Sequence, residues 1–281
     1  MMSRTTLETS KPAPRPVTPR FWQGIAASSA IALAATPVLA QGPVPVTAPA
    51  SQGGWLWLAD AEGGEGGEAG AVEGANPDVA YLARLAIVEG HLVAAMDLYR
   101  KGMVDEAIGL SYHPEAEMME EVRASLATHG VADVTPEMAA FSAALESGGP
   151  VADVEVALAT AQTAFAAAAA PQADELRVRA DALILLTRAA AHEYEESTEG
   201  GSVGDVFAYH EAHAFIEVAR SLATALGSDA AAKPAADKAL AALDGAAEAF
   251  GDMSGTTLEA KDPAILQAVA AKVELALSSV H

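Results

Sequence analysis

AAAHEYEESTEGGSVGDVFAYHEAHAFIEVA, residues 189–219, is the stretch from which the fold of this chain is best worked out. It contains the end of one helical pattern, a glycine pair at 200–201, and the start of a second helical pattern. Glu, His and Tyr are dense on both sides of the glycine pair. The stretch therefore predicts two helices joined by a tight turn, with polar side chains at their junction.

Helical periodicity extends in both directions from this hairpin, from residue 76 to the C-terminus. Gly and Pro interrupt it at short intervals, and Asn76-Pro77 and Thr135-Pro136 have the composition of helix starts. The pattern predicts an all-α, multi-helix bundle with antiparallel neighbours and no sheet, because short connections place successive long helices side by side. About nine helical segments are predicted, at 77–101, 103–111, 114–128, 136–147, 151–169, 172–198, 204–226, 229–250 and 263–280.

The first 40 residues have the pattern of a secretory signal peptide. Basic residues precede a mostly apolar run at 21–39, and Val38-Leu39-Ala40 supplies small residues at a cleavage position. The interpretation is cleavage after Ala40 and export to the periplasm, without stable membrane insertion afterwards. Retention of the run as a membrane anchor is the alternative.

Residues 41–76 are predicted to form a disordered linker rich in Gly, Pro and Glu, because they contain too little apolar surface to offset their ordering entropy. An apolar island at 55–58, with Trp55 and Trp57, is a candidate docking element. The Gly/Glu repeat at 62–74 is interpreted as a flexible acidic spacer, with loose presentation of carboxylates to a cation as the alternative. A single helical domain is predicted over 77–281.

The chain is strongly acidic, with 38 Asp and Glu against 16 Lys and Arg and a net charge of −22. Such a field repels nucleic acid, which is excluded as a partner, and is compatible with metal ions or other cationic ligands. A solubilising surface is the plainer interpretation of the same charge. Because the chain has no cysteine, its stability must come from its core rather than from disulfides.

Two glutamates fall close to the apolar stripes of predicted helices. Glu89 lies between Leu85 and Leu92 on the first long helix, and Glu211 lies near the stripe through Phe215. A carboxylate in such a place must be paired, hydrogen-bonded, protonated or metal-bound. Two fates remain open: a structural partner, either a buried Tyr that donates a hydrogen bond or one of Arg100, Arg179 and Arg188, and a carboxylate-bridged metal site.

His210, His213 and Glu217 follow one another at spacings of three and four, so they share one face of the predicted helix 204–226. Imidazole and carboxylate together suit iron, zinc, copper or nickel. This face is either exposed to solvent or packed against a second layer that includes the His192 end of the preceding helix, where Glu193 also lies across the turn. The metal-ligand candidates are thus Glu89, Glu193, His210, Glu211, His213 and Glu217.

No catalytic motif supports an enzyme. The chain lacks Gly-x-Ser-x-Gly, a phosphate-binding glycine loop and HExxH, and it has no cysteine nucleophile. The prediction is a protein that is not an enzyme. A ferritin-like metalloenzyme is the weakest alternative, because the paired Glu-x-x-His ligand motifs are missing.

A short segment across the hairpin resembles the periplasmic helical domain of FTR1-type iron permeases. That segment has an acid-Tyr pair, a turn with Gly-x-Val, then Glu-Tyr-x-Glu and a Phe four residues on. Glu193-Tyr194, Gly201-Ser202-Val203, Tyr209-His210-Glu211 and Phe215 occupy the same register here. Ala208 and Thr198 depart from it, standing where the pattern has Glu and Val. The Arg-Glu-x-x-Glu motifs of the permease's membrane part are absent, which excludes the permease itself.

What the resemblance implies is a periplasmic helical protein that binds or handles metal ions, most simply iron or another divalent or trivalent ion. Its expected partner is a membrane metal transporter or another periplasmic protein. The resemblance carries roles only to Glu193, Tyr194, Tyr209 and Glu211. The alternative function is a metal-free periplasmic scaffold that docks on a membrane complex.

Overall fold

The computed structural model describes residues 67–199, 201–251, 253 and 257–281. The predicted signal peptide and the apolar island at 55–58 lie outside these residues. In the part described, the prediction of an all-α helical bundle is confirmed. The helices are α1 (Gly67–Ala71), α2 (Pro77–Arg100), α3 (Val104–Ser111), α4 (His113–Glu117), α5 (Met119–His129), α6 (Thr135–Glu146), α7 (Val151–Ala169), α8 (Leu176–Ser197), α9 (Val206–Leu226), α10 (Lys233–Leu243), α11 (Ala247–Phe250) and α12 (Ala264–Leu277).

The predicted hairpin at 189–219 is present as α8 and α9. Between them, β1 (Thr198–Glu199) pairs antiparallel with β2 (Ser202–Val203). This ladder of two residues a side is the one small departure from a sheet-free fold within the described ranges. It was not predicted because a strand is recognised from alternation over four or more residues. The Asp205 carboxylate then caps α9 by accepting hydrogen bonds from the Phe207 and Ala208 amides, at 2.8 and 3.2 Å.

The α8–α9 hairpin packs along α2, which also contacts α3 and α7, while α12 lies against α8 and α10. The Asn76 side chain caps α2 by accepting from the Asp78 amide at 2.9 Å, and Pro77 occupies the first turn as predicted. Buried residues occur all round α2, including Ile87, Val88 and His91. A helix in the middle of a bundle has no solvent face, so this helix has no single apolar stripe.

Two described helices, Pro77–Arg100 and Val151–Gln172, are long and apolar enough to cross a membrane by length and composition. The core helix of a bundle satisfies the same criteria, and most of the apolar window of α2 is buried within the protein. The window in Val151–Gln172 is mainly exposed.

α2 and α9 come very close together at Gly90. A Cβ atom at that position would lie 2.3 Å from Cδ1 of Phe215 and 2.6 Å from its Cε1. The phenylalanine ring is fully buried, so the absence of a side chain at Gly90 is what allows the two helices to meet. This contact brings the faces that carry His91 and Glu211 together.

Apart from shifts of a few residues at helix ends, the helices differ from the prediction in three places. The segment 114–128 is broken at Met118, whose φ of −146° ends α4, so that α4 can turn back toward α2. The segment 229–250 divides into α10, a 3₁₀ turn and α11. Within the range predicted as a linker, residues 67–71 form α1, which packs against α8, and Val72 is buried. Packing on α8 supplies apolar contacts that the local composition could not indicate.

Candidate metal centre

Six side chains with metal-ligating atoms converge beside the turn end of the α8–α9 hairpin. They comprise four carboxylates and two imidazoles, and they come from five helices. The residues are Glu68 on α1, His91 on α2, His113 and Glu117 on α4, Glu193 on α8 and Glu211 on α9. Residues far apart in the chain thus build one polar cluster inside an otherwise apolar bundle, and we call this set the acidic centre.

His91 lies in the middle of the acidic centre and is 1% exposed. Its Nδ1 is 2.9 Å from the Ile87 carbonyl oxygen, which can only accept, so Nδ1 carries the proton. Its Nε2 is 3.3 Å from Glu68 Oε2, 3.4 Å from Glu117 Oε2 and 3.3 Å from Glu211 Oε1. Nε2 therefore faces three carboxylates: a protonated ring points its N–H at them, and a neutral ring points a lone pair that can bind a cation lying between them.

The remaining members extend the cluster on either side of His91. The His113 Nδ1 atom lies 3.5 Å from Glu211 Oε1. Glu193, which is 7% exposed, groups with Glu68 and Glu211. The six donors form three triads in which one atom of each residue lies within 4.8 Å of the others, namely His91–His113–Glu211, Glu68–His91–Glu117 and Glu68–Glu193–Glu211.

The acidic centre contains more acidic than basic side chains, and most of them are largely buried. Burial raises the pKa of Glu68 to about 8, with His91 opposing the rise and Glu211 adding to it. Burial, followed by repulsion from Glu68 and Glu211, raises the pKa of Glu193 to about 9. For His91, burial lowers the pKa, but the carboxylates of Glu68 and Glu211 outweigh it and raise the pKa to about 10. Without another cation, protons must occupy the centre.

Aromatic rings close the acidic centre on one side. The Phe215 ring is centred 5.7 Å from the His91 ring, and the Phe207 ring is 5.5 Å from that of His113. The Phe215 ring helps to keep water away from His91, which is 1% exposed, and this strengthens the electrostatic interactions of that imidazole. Glu117, whose side chain is 34% exposed, lies on the more open side.

Two of the six predicted ligand candidates, Glu193 and Glu211, lie in the acidic centre. Glu89 does not, although it is close to His91 in sequence. It is half-buried and accepts a hydrogen bond from Gln162 Nε2 at 3.1 Å, and burial raises its pKa. Of the two fates left open by the sequence, the structure shows a hydrogen-bonded one for Glu89, with a glutamine rather than an arginine as partner.

The other three candidates follow α9 away from the acidic centre. His210 is buried and lines a cavity of about 510 Å³ with Lys101, Val206 and Lys261. The Nδ1 atom of His213 is 3.6 Å from Asp97 Oδ2. Glu217 is exposed, with Oε1 3.7 Å from Arg220 Nε. Within the described ranges, none of the three belongs to a triad of ligand atoms. A metal role for them stays a prediction.

Four members of the acidic centre were not among the predicted ligands. For His91, the available signal was the apolar residues all round α2, which indicate that both faces of this helix are buried. His113 and Glu117 are four residues apart on one face, a spacing that was available in the sequence. Glu68 lies in the Gly/Glu repeat at 62–74, which was interpreted as a flexible spacer, with loose presentation of its carboxylates to a cation as the alternative.

Tyr194 and Tyr209, the two tyrosines of the resemblance, form hydrogen bonds that hold parts of the fold together. Tyr194 donates to the Ala249 carbonyl at 2.6 Å and accepts from the Lys261 amide at 2.9 Å. Tyr209 lies 2.7 Å from the Phe250 carbonyl oxygen. Both rings are fully buried, so the phenols hold α11 and the following loop against the hairpin.

A protein-family model matches the C-terminal part of this chain. Residues 168–281 match the family model of the iron permease-associated 4-helix bundle domain. The four longer helices of that range are α8, α9, α10 and α12. The resemblance predicted from the hairpin is therefore confirmed, and this part of the chain is similar to a domain associated with iron permeases. No curated protein and no solved structure matches the chain.

The match supplies Glu193 and Glu211 to the acidic centre, whereas its other four members come from α1, α2 and α4, before residue 168. The centre is thus built between the matched bundle and the helices that precede it.

Proposed function

We propose that this chain is an exported, periplasmic accessory protein of metal-ion uptake, and that it binds the ion in the acidic centre. The observation that carries the proposal is the buried Nε2 of His91. It has no hydrogen-bond partner and faces carboxylate oxygens of Glu68, Glu117 and Glu211 within 3.4 Å. A metal ion satisfies all four groups at once, because each can act as a ligand.

A purely structural network fits this arrangement less well. Buried polar groups in folded proteins almost always have hydrogen-bond partners, yet both Glu68 carboxylate oxygens and Glu211 Oε1 are buried without one. Among the described residues, the ion pairs of the acidic centre are formed by His91 and His113 and not by lysine or arginine. Four carboxylates without a fixed positive charge are costly to bury, and a bound cation removes that cost.

The donor set favours iron, and its chemistry also admits manganese or zinc. It combines imidazole nitrogen with carboxylate oxygen and contains no thiolate, which argues against soft ions such as copper(I). The match to an iron permease-associated domain makes iron the biological candidate. That domain is named for its association with a permease rather than for a reaction, which supports binding rather than catalysis.

The rest of the proposal concerns location and partners. The signal-peptide pattern of residues 1–40 supports export, and the net charge of −22 suits a protein that concentrates cations. The proposed partner is a membrane iron or metal transporter. The alternative is a metal-free scaffold that docks on a membrane complex.

The test is calorimetric titration of the purified protein with Fe²⁺ under anaerobic conditions, and separately with Zn²⁺, followed by elemental analysis. His91→Ala and Glu211→Ala are expected to weaken binding at least about 100-fold, because each removes a ligand from a buried centre. Glu89→Gln is the matched control, since it neutralises a partly buried carboxylate outside the acidic centre.

Circular dichroism of each variant verifies that it remains folded. Tight binding that disappears in the two centre variants and persists in Glu89→Gln supports the proposal. If neither ion binds to the folded protein, or if all variants bind alike, metal handling by this centre is refuted and the scaffold function takes its place.

A further inference from the structure

We infer that the acidic centre holds two cations rather than one, with the Glu211 carboxylate as the bridge between them. This inference rests on the proposed function and adds to it the number, positions and different ligand chemistry of the ions. It is carried by three observations: the way in which the triads overlap, the charge of the cluster, and the buried polar atoms that have no partner.

The triads define two positions with one residue in common. His91–His113–Glu211 and Glu68–Glu193–Glu211 share only Glu211. Its Oε1 faces both imidazoles, at 3.3 Å from His91 Nε2 and 3.5 Å from His113 Nδ1. A carboxylate has two oxygens that can bind separate ions, so we assign Oε1 to the position beside the imidazoles and Oε2 to the second position.

When all four carboxylates are ionised, charge balance favours a second ion. The acidic centre contains four carboxylates, and the imidazoles are neutral when they bind metal. One divalent ion would leave two negative charges uncompensated, although the Glu68, Glu193 and Glu211 side chains are all largely buried. Two divalent ions neutralise the four carboxylates, which is the state that a poorly solvated site favours.

The unpartnered atoms lie at both positions. At the first position, His91 Nε2 and Glu211 Oε1 are buried without a hydrogen bond, and at the second the same holds for Glu68. One ion beside the imidazoles can bind Glu68 Oε2, which lies 3.3 Å from His91 Nε2, but it leaves Glu68 Oε1 and Glu193 for a second ion. Glu117 forms the third triad, with Glu68 from the second position and His91 from the first, so it can bind an ion at either position from the more open side.

The two positions differ in chemistry and in the elements that form them. The first has two imidazoles and one carboxylate from α2, α4 and α9, and it suits borderline ions such as Fe²⁺ or Zn²⁺. The second has three carboxylates from α1, α8 and α9, and it suits harder ions such as Mn²⁺ or Fe³⁺. We therefore expect stepwise filling with two distinct affinities.

The experiment measures stoichiometry and ion separation with Mn²⁺ and Zn²⁺ as probes. Equilibrium dialysis and calorimetry of the purified protein are expected to give two ions per chain. Two Mn²⁺ ions at the roughly 3.5–4 Å separation of bridged sites couple magnetically, so the electron paramagnetic resonance spectrum is expected to lose the six-line pattern of an isolated ion.

Single-site variants separate the two positions. His113→Ala should leave one ion, at the carboxylate position, and Glu193→Gln should leave one ion, at the imidazole position; both are expected to restore the six-line Mn²⁺ spectrum. Glu211→Gln should weaken both ions more than about tenfold, because it alters the bridge. His192→Ala is the matched control, since the exposed fractions of the His192 and His113 side chains are 36% and 37%.

The outcomes distinguish this inference from the proposed function. One ion per chain with a six-line spectrum in the unaltered protein refutes the two-ion centre and leaves metal binding intact. Two ions that persist in both His113→Ala and Glu193→Gln also refute it, because the ions would then lie elsewhere. No bound ion in the folded protein overturns the two-ion centre and the proposed function together.

Discussion

Replacement of Gly90 by alanine tests the close approach of α2 and α9. In an exposed helix interior this change stabilises by about 1 kcal/mol, because alanine has the better helix propensity. At Gly90 the new methyl group would lie 2.3 Å from Phe215 Cδ1, where a carbon–carbon contact needs about 3.5–4.0 Å. The ring is fully buried, so it cannot relieve the contact by moving into solvent.

The expected net effect is destabilisation. Overpacking of a core by one methyl group costs about 1–3 kcal/mol, which exceeds the gain in propensity. We therefore expect Gly90→Ala to lower the free energy of unfolding by about 1–2 kcal/mol. Because the Phe215 ring also packs 5.7 Å from the His91 ring, metal affinity should fall together with stability.

The assay is urea denaturation of the ion-free protein, followed by far-ultraviolet circular dichroism. Gly109→Ala is the matched control, because Gly109 lies inside α3 and a Cβ atom there would meet nothing within 4 Å. We expect that control to be stabilised by up to about 1 kcal/mol. If Gly90→Ala unfolds at the same or a higher urea concentration than the unaltered protein, the steric argument is wrong.

Two further predictions concern α9 outside the acidic centre. Burial, followed by the charge of Lys101, lowers the pKa of His210 to about 4, so the folded protein resists a proton that the unfolded chain accepts near pH 6.5. The unaltered protein should lose about 2 kcal/mol more stability between pH 7 and pH 5 than His210→Gln, as measured by urea denaturation at both pH values; equal losses would contradict this. Tyr209→Phe removes the hydroxyl 2.7 Å from the Phe250 carbonyl oxygen and should lower the unfolding free energy by about 1–2 kcal/mol. An unchanged unfolding midpoint would show that this hydrogen bond contributes nothing net.

The helical elements were predictable because their signals are local. Asn76-Pro77 marks the start of α2, and the glycine pair at 200–201 marks the turn between α8 and α9. The predicted helix boundaries were wrong where tertiary contacts determine where a helix begins or ends. The chain leaves the helix at Met118 although no glycine or proline stands there, and α1 forms where the sequence is rich in glycine.

The candidate ligands also divide into residues that a local sequence pattern identifies and residues that only tertiary contacts bring together. Glu211 was found because a carboxylate close to an apolar stripe needs an explanation, and Glu193 because the turn brings it near. The same argument chose Glu89, but that residue lies on the side of α2 facing Gln162 and is only half-buried. His91, on the other side, is the residue that the bundle encloses.

The sequence by itself determined the helical class, the hairpin, the acidity and the resemblance of that hairpin to an iron permease-associated domain. Composition, capping residues and periodicity encode these properties over a few neighbouring residues. Only the tertiary structure decided which polar side chains meet. Glu68 and Glu211 lie far apart in the chain, and no local pattern specifies which faces of α1, α2, α4, α8 and α9 are packed together. That packing places four carboxylates and two imidazoles around one point, where protons or a bound cation must offset the repulsion between the carboxylates.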